Sequence, residues 1–303
     1  MATTDSLKNQ LQEKKQAPQQ VDPSKLGFKA LMATPMMKKK FNDILRDKTD
    51  SFMGSLMTLV GGDDYLAKAE PMTIIASAMK AATMDLPIDK NLGYAYIVPF
   101  NRSEKVGNQW VKHNEAQFIL GYKGYIQLAQ RSGQYKALNA ITVYEGQIAS
   151  WNPLTEEFEF DYNGKISDEV IGYVGFFELL NGFKKTVYWT KQEVEAHRIK
   201  NAKGYDKEKL SGAWVDNYDQ MAIKTVLRNL LAKWGILSVE MQTAVTSDEK
   251  VFRLDENDDI IEETKLDEME PIERKEVEKV EDEQKEETQQ ELFDDKKLGD
   301  ITK

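Results

Sequence analysis

A chain of 303 residues, 41% hydrophobic and without cysteine, has room for a substantial core but cannot form disulfides or thiolate metal sites. No charged-then-apolar leader opens it and no apolar run is long enough to cross a bilayer, so a cytoplasmic protein with no membrane partner is expected. The net charge of −10 is unevenly spread: residues 255–303 hold 21 acids and 8 bases, leaving 30 acids against 33 bases before them, so a mildly basic body with an acidic tail does not exclude a polyanionic ligand.

Residues 1–34, rich in Gln, Lys and Pro, read as a flexible N-terminal arm. Thr34 as N-cap and Pro35 in the first turn start a helix reaching about residue 48. Its Lys38-Lys39-Lys40 cluster suits solvated surface or a phosphate or subunit contact. A second helix spans 51–60 and stops at Gly61-Gly62, and a third follows Pro71 with a Met- and Ala-rich inner face that means core packing. Residues 94–100 alternate like a strand. The polar segment 101–114 then reads as a hairpin loop offering Arg102, Trp110 and Lys112.

At 118–120 a short buried strand gives way to helical periodicity from Tyr122. Lys123, Gln127, Gln130 and Arg131 form a stripe without a carboxylate, which is either a solvated face or a row of donors for phosphates. Gly121 and Gly124 either let backbone amides approach an anion or permit tight packing. Further strands are expected at 138–144, at Phe158 and Phe160, and in a hairpin about Asn181-Gly182. Glu157, Glu159 and Asp161 alternate with the phenylalanines as in a half-solvated strand; the rival reading is a Mg-dependent nuclease. Segment 193–210 gathers Arg198, Lys200 and Lys203 beside Tyr205, as an exposed charged loop or a binding patch.

The longest amphipathic segment, 214–234, carries Lys224 and Arg228 one turn apart on its polar side. Two cations at that spacing repel by a few tenths of a kcal/mol, roughly, which suggests a neighbouring anion. From residue 248 an acidic, largely disordered tail is expected, with Leu292-Phe293 as apolar anchors of a docking peptide. No nucleotide-binding G-x-x-x-x-G-K-[ST] loop occurs, and His113 and His197 lack a zinc or nucleophile context. The expectation is therefore a binding protein without catalytic residues, metal or cofactor.

Leu86-Pro87, the run from Leu92 to Phe100, the run from Gln117 to Gly133, Gly212-Ala213-Trp214 and the run from Met221 to Arg228 together closely resemble the RecT family of single-strand annealing proteins, with the phage Red beta proteins as more distant relations. The resemblance implies an α+β fold: a small antiparallel sheet with hairpins packed on several helices, including one long C-terminal core helix, assembled into rings or helical filaments. It implies an ATP-independent phage recombinase that coats single-stranded DNA, pairs it with a complementary strand and holds the nascent duplex. The partners implied are an exonuclease and, through the tail, the host single-strand DNA-binding protein. On matching positions it supports Lys123, Arg131, Lys224 and Arg228 as backbone contacts, beside Tyr122 and Gln127. Arg102, Lys112, Arg198, Lys200, Lys203 and Tyr205 join them from variable loops. The annealing core is expected over 35–247. A strand- or RNA-binding protein that does not anneal is the alternative.

Overall fold

In the computed structural model the described residues are 26–106, 108–202, 208–210, 212–236, 238–254, 260–263 and 269–271. Most of the expected arm, Lys203, Tyr205 and the tail beyond 271 lie outside them.

Five helices open the described chain: α1 (Phe28–Met32), α2 (Pro35–Leu45), α3 (Thr49–Gly61), α4 (Asp64–Ala67) and α5 (Pro71–Thr83). Thr34 caps α2 by accepting from the Met37 N–H, and Pro35 occupies the first turn. Phe28, Leu31 and Met32 are buried, so the expected arm gives way to core before residue 34. Helix α5 is buried on nearly every face. Its small side chains bring it against the sheet, where Thr73 Oγ1 accepts from the Ala116 N–H at 2.8 Å and Ser77 donates to the Ala116 carbonyl at 3.3 Å.

That sheet has five antiparallel strands in the order β10-β1-β2-β8-β9. Strands β1 (Ala95–Val106) and β2 (Gln109–Leu120) pair continuously from Ala95 opposite Leu120 to Val106 opposite Gln109. The loop expected at 101–114 is therefore mostly strand. The remaining members are β8 (Lys250–Leu254), β9 (Ile260–Glu263) and β10 (Met269–Pro271). The chain after residue 247 thus supplies three strands, where the sequence suggested only tail. Each is short and flanked by acids, which hides its alternation.

A second antiparallel sheet, in the order β3-β6-β7, comprises β3 (Tyr135–Tyr144), β6 (Val170–Leu179) and β7 (Lys184–Thr190), with the expected turn at Gly182 (φ +86°). A small hairpin of β4 (Ile148–Asn152) and β5 (Glu157–Phe160) is inserted between β3 and β6. Helix α6 (Tyr122–Arg131) follows β2 directly. Segment 193–210, expected as an exposed charged loop or a binding patch, begins within helix α7 (Lys191–Asn201), started by a capping box between Thr190 and Glu193.

After α8 (Ala213–Asp216) the chain breaks at Asn217 (φ −139°, ψ 48°), so the expected 214–234 helix begins properly only as α9 (Tyr218–Trp234). Val226 and Leu230 of α9 pack on Gly175 of β6, where the missing side chain permits close approach. Helix α10 (Val239–Ser247), capped by Ser238, leads into β8. No described helix is long and apolar enough to cross a membrane.

Candidate nucleic-acid interface

Strand alternation divides the β1–β2 hairpin into two faces. Ala95, Ile97, Ala116 and Phe118 are buried on the α5 side, whereas Tyr96, Val98 and Phe100 share the other face with Gln117 and Ile119. Above this second face a groove of about 740 Å³ runs between α7, α8 and α9. Phe100 and Ile119 form part of its floor, and Asn201, Thr225, Arg228 and Asn229 its polar wall. Helical spacing explains the wall: Ala222, Val226, Leu227, Leu230 and Leu231 are buried, which turns Thr225, Arg228 and Asn229 the other way.

Beside the groove, Lys224 and Arg228 meet the anion that their spacing suggested, and it belongs to the protein. Lys224 is only 3% exposed, with its ammonium 3.0 Å from Asp248 Oδ1 and 3.2 Å from Glu249 Oε1. Asp248, fully buried, also accepts from the Leu120 N–H at 2.8 Å and the Tyr125 hydroxyl at 2.9 Å. Burial disfavours the charged Lys224, but the carboxylates of Asp248 and Glu249 outweigh it and leave its pKa above the ordinary lysine value. Burial and Asp248 likewise hold the Tyr125 phenol well above its usual range, so it remains a donor.

Arg228 differs from Lys224. Its side chain is 36% exposed, and its Nη1 lies 3.8 Å from both Asp248 Oδ2 and Glu249 Oε2, close enough for charge attraction but beyond hydrogen-bond range. Among the described residues its guanidinium donates no hydrogen bond. A half-exposed fork of five N–H donors facing a groove is suited to a planar or tetrahedral oxyanion.

The other expected site residues divide sharply. Lys123 is exposed, and it and Tyr96 both approach Gly93. Lys123 therefore lies beside Tyr96 at one end of the same sheet face. Tyr122 itself packs on the core, and Gln127 is half-buried on α6. Lys112 is exposed on β2, and Lys200 is exposed on α7 close enough to influence His197. Three arginines have structural partners instead. Arg131 donates to the Met84 and Asp85 carbonyls at 2.6 and 2.7 Å, closing the end of α5. Arg102 is 5% exposed in β1, not in a loop, and pairs with Glu115 at 2.9 Å. Arg198 lines the groove, but its guanidinium holds Glu195 and the carbonyls of Glu208 and Lys209.

Glu157 and Glu159 accept from Thr155 and Ser150 respectively. Among the described residues no three His, Asp or Glu side chains are grouped to hold a metal ion. Asp248, Glu249, Asn201 and Asn229 escaped the sequence reading. Only the unexplained pair Lys224 and Arg228 hinted at the first two.

Comparison with known proteins finds relatives of the chain. A protein of Bacillus subtilis (strain 168), named "Uncharacterized protein YqaK", is 48% identical over 250 residues, covering 82% of this chain and 81% of its own. "Protein RecT" of Escherichia coli (strain K12) is 32% identical over 187 residues, 61% of this chain and 65% of its own. The RecT family profile matches residues 50–265, taking in the groove, Asp248 and Glu249, and strands β8 and β9. The chain belongs to the RecT family, and its work is recombination-related single-strand annealing.

Proposed function

We propose that the protein anneals complementary DNA strands without ATP, gripping one strand by its sugar-phosphate in the groove between α7 and α9 and leaving base edges open for pairing. The observation that carries this reading is Arg228, which lines the groove with Asn201, Thr225 and Asn229 and donates no hydrogen bond among the described residues. Phe100, His197 and Trp214 are the rings among the lining residues, too few to stack against every base of a bound strand. Lys233 of the groove wall and Lys123 and Lys200 nearby add charge, whereas Lys112, by its place in β2, faces the α5 side of the sheet. Each phosphate neutralised contributes a slope of about −0.7 in log K against log salt, so the grip of one subunit is modest and a ring or filament of subunits multiplies it. In this reading the protein acts in the bacterial cytoplasm, and the acidic segment beyond residue 271, with Leu292-Phe293, recruits an exonuclease or the host single-strand DNA-binding protein.

Arg228→Ala tests the groove. Binding of a fluorescent oligo-dT should weaken about tenfold, the order of one lost charge-assisted contact. Melting temperature should change little, because no described hydrogen bond is lost. Wild-type binding and annealing in this variant would remove the groove from the proposal. A protein that only shields strands would bind equally well yet leave the pairing rate of complementary oligonucleotides unchanged.

His197 supplies a second test. Desolvation in the groove and the nearby Arg228 charge hold its pKa below the ordinary imidazole value, so it is neutral at pH 7. A bound phosphate offsets the Arg228 charge and adds an anion beside the imidazole, which favours its protonated form in the complex. Proton uptake then accompanies binding, and affinity should rise as pH falls below 7. His197→Asn should flatten this component of the pH profile; an unchanged profile would show that the imidazole does not sense the strand.

A further inference from the structure

The two carboxylates beside Lys224 and Arg228 do unequal work. Asp248 is fully buried and serves Lys224, Tyr125 and the backbone of Leu120. The charge of Lys224 therefore has a partner without Glu249. The Glu249 side chain is 40% exposed, lines the groove and reaches Lys224 and Arg228 from the solvent side.

Its backbone is set apart as well. Glu249 adopts φ +63°, a left-handed conformation that side-chain-bearing residues disfavour. It is kept there by its N–H donating to the Phe118 carbonyl at 3.0 Å and by the Gln117 amide donating to its own carbonyl. This conformation carries the chain from α10 into β8 and leaves the carboxylate beside the cations at the groove edge.

We propose that Glu249 is a built-in occupant of a phosphodiester site: in the free protein its carboxylate stands beside Arg228 where a strand phosphate sits in the complex. This rests on the groove reading above and adds to it a residue that sets ligand specificity. Arg228 is the point of exchange, since Lys224 is too buried to meet a ligand and keeps Asp248 throughout. An isolated small anion must displace a tethered carboxylate for the return of one contact. A strand holds on through neighbouring phosphates while the exchange occurs, so effective concentration favours it. The site therefore selects extended polyanions over inorganic phosphate and mononucleotides.

The test is a cycle of variants in the full chain, measured by fluorescence titration of oligo-dT, with competition by inorganic phosphate. Glu249→Gln should bind oligo-dT about fivefold more tightly, the scale of a partly exposed ion pair, and become more sensitive to phosphate competition. Placed on Arg228→Ala, the same change should have no effect, which a purely structural role for Glu249 would not predict. Glu249→Gly makes the same charge change at a backbone angle glycine tolerates, so it covers the case in which the Gln variant folds poorly. If both Glu249 variants bind no more tightly than wild type while Arg228→Ala binds weakly, the inference is overturned and the groove stands. If Arg228→Ala binds like wild type, the groove reading itself fails.

Discussion

Asp248→Ala should lower the stability of the core by about 3–5 kcal/mol, the scale for removing one partner of a buried ion pair. The substitution leaves the ammonium of Lys224 in a low-dielectric setting with only the half-exposed Glu249 beside it, and takes the acceptor from the Leu120 N–H and the Tyr125 hydroxyl. For a domain of this size the melting temperature should fall by about 10 °C. Asp248→Asn separates the contributions, because it keeps an acceptor oxygen while losing the charge. Adding Lys224→Met to it should restore much of the loss, since an apolar replacement of a whole buried pair is often tolerated. A melting temperature for Asp248→Ala within about 2 °C of wild type would show that the cluster is not a structural keystone.

Gly121→Ala should be nearly as damaging, for steric reasons. A Cβ there would run into the Gly93 carbonyl oxygen and lie 2.9 Å from its carbon, and backbone atoms cannot rotate aside. Gly124→Ala would meet the Tyr94 carbonyl and bring its methyl within 2.6 Å of Leu120 Cδ1. Each should cost about 3 kcal/mol, measured by chemical denaturation, as overpacking of a tight contact does. Helix propensity alone predicts the opposite sign for Gly124→Ala, a gain of up to about 1 kcal/mol. Gly54→Ala in α3, with nothing within 4 Å, should show that gain and serves as the internal comparison. Stabilisation at both positions would mean that the start of α6 does not pack on Gly93 and Tyr94 as closely as described.

Of the two roles open to Gly121 and Gly124 in the sequence, the structure thus displays packing. Local signals were legible: Thr34-Pro35, Pro71, Gly61-Gly62 and Asn181-Gly182 mark element ends through backbone preferences that act within a few residues. Thr190 and Glu193 spell a capping box, yet the basic residues downstream drew α7 towards a loop reading. Gly107-Asn108 is likewise a two-residue hairpin signal, overlooked amid the polar character of 101–114. Interactions across the fold were less accessible. That Arg131 would close α5, Arg102 would face Glu115, and Lys224 would find Asp248 depends on which elements meet, and one-dimensional spacing does not encode that. The spacing of Lys224 and Arg228 correctly announced an anion; it could not tell a carboxylate from a phosphate.

The β1–β2 hairpin is completed on both flanks by later chain: Val251 pairs with Gln117 on one side and Met269 with Arg102 on the other. During synthesis the hairpin must therefore wait, edges unsatisfied, while the whole second sheet and α9 emerge. A nascent subunit acquires the finished platform beneath its groove only near the end of translation, so half-made chains are poorly equipped to seize DNA and most in need of a chaperone.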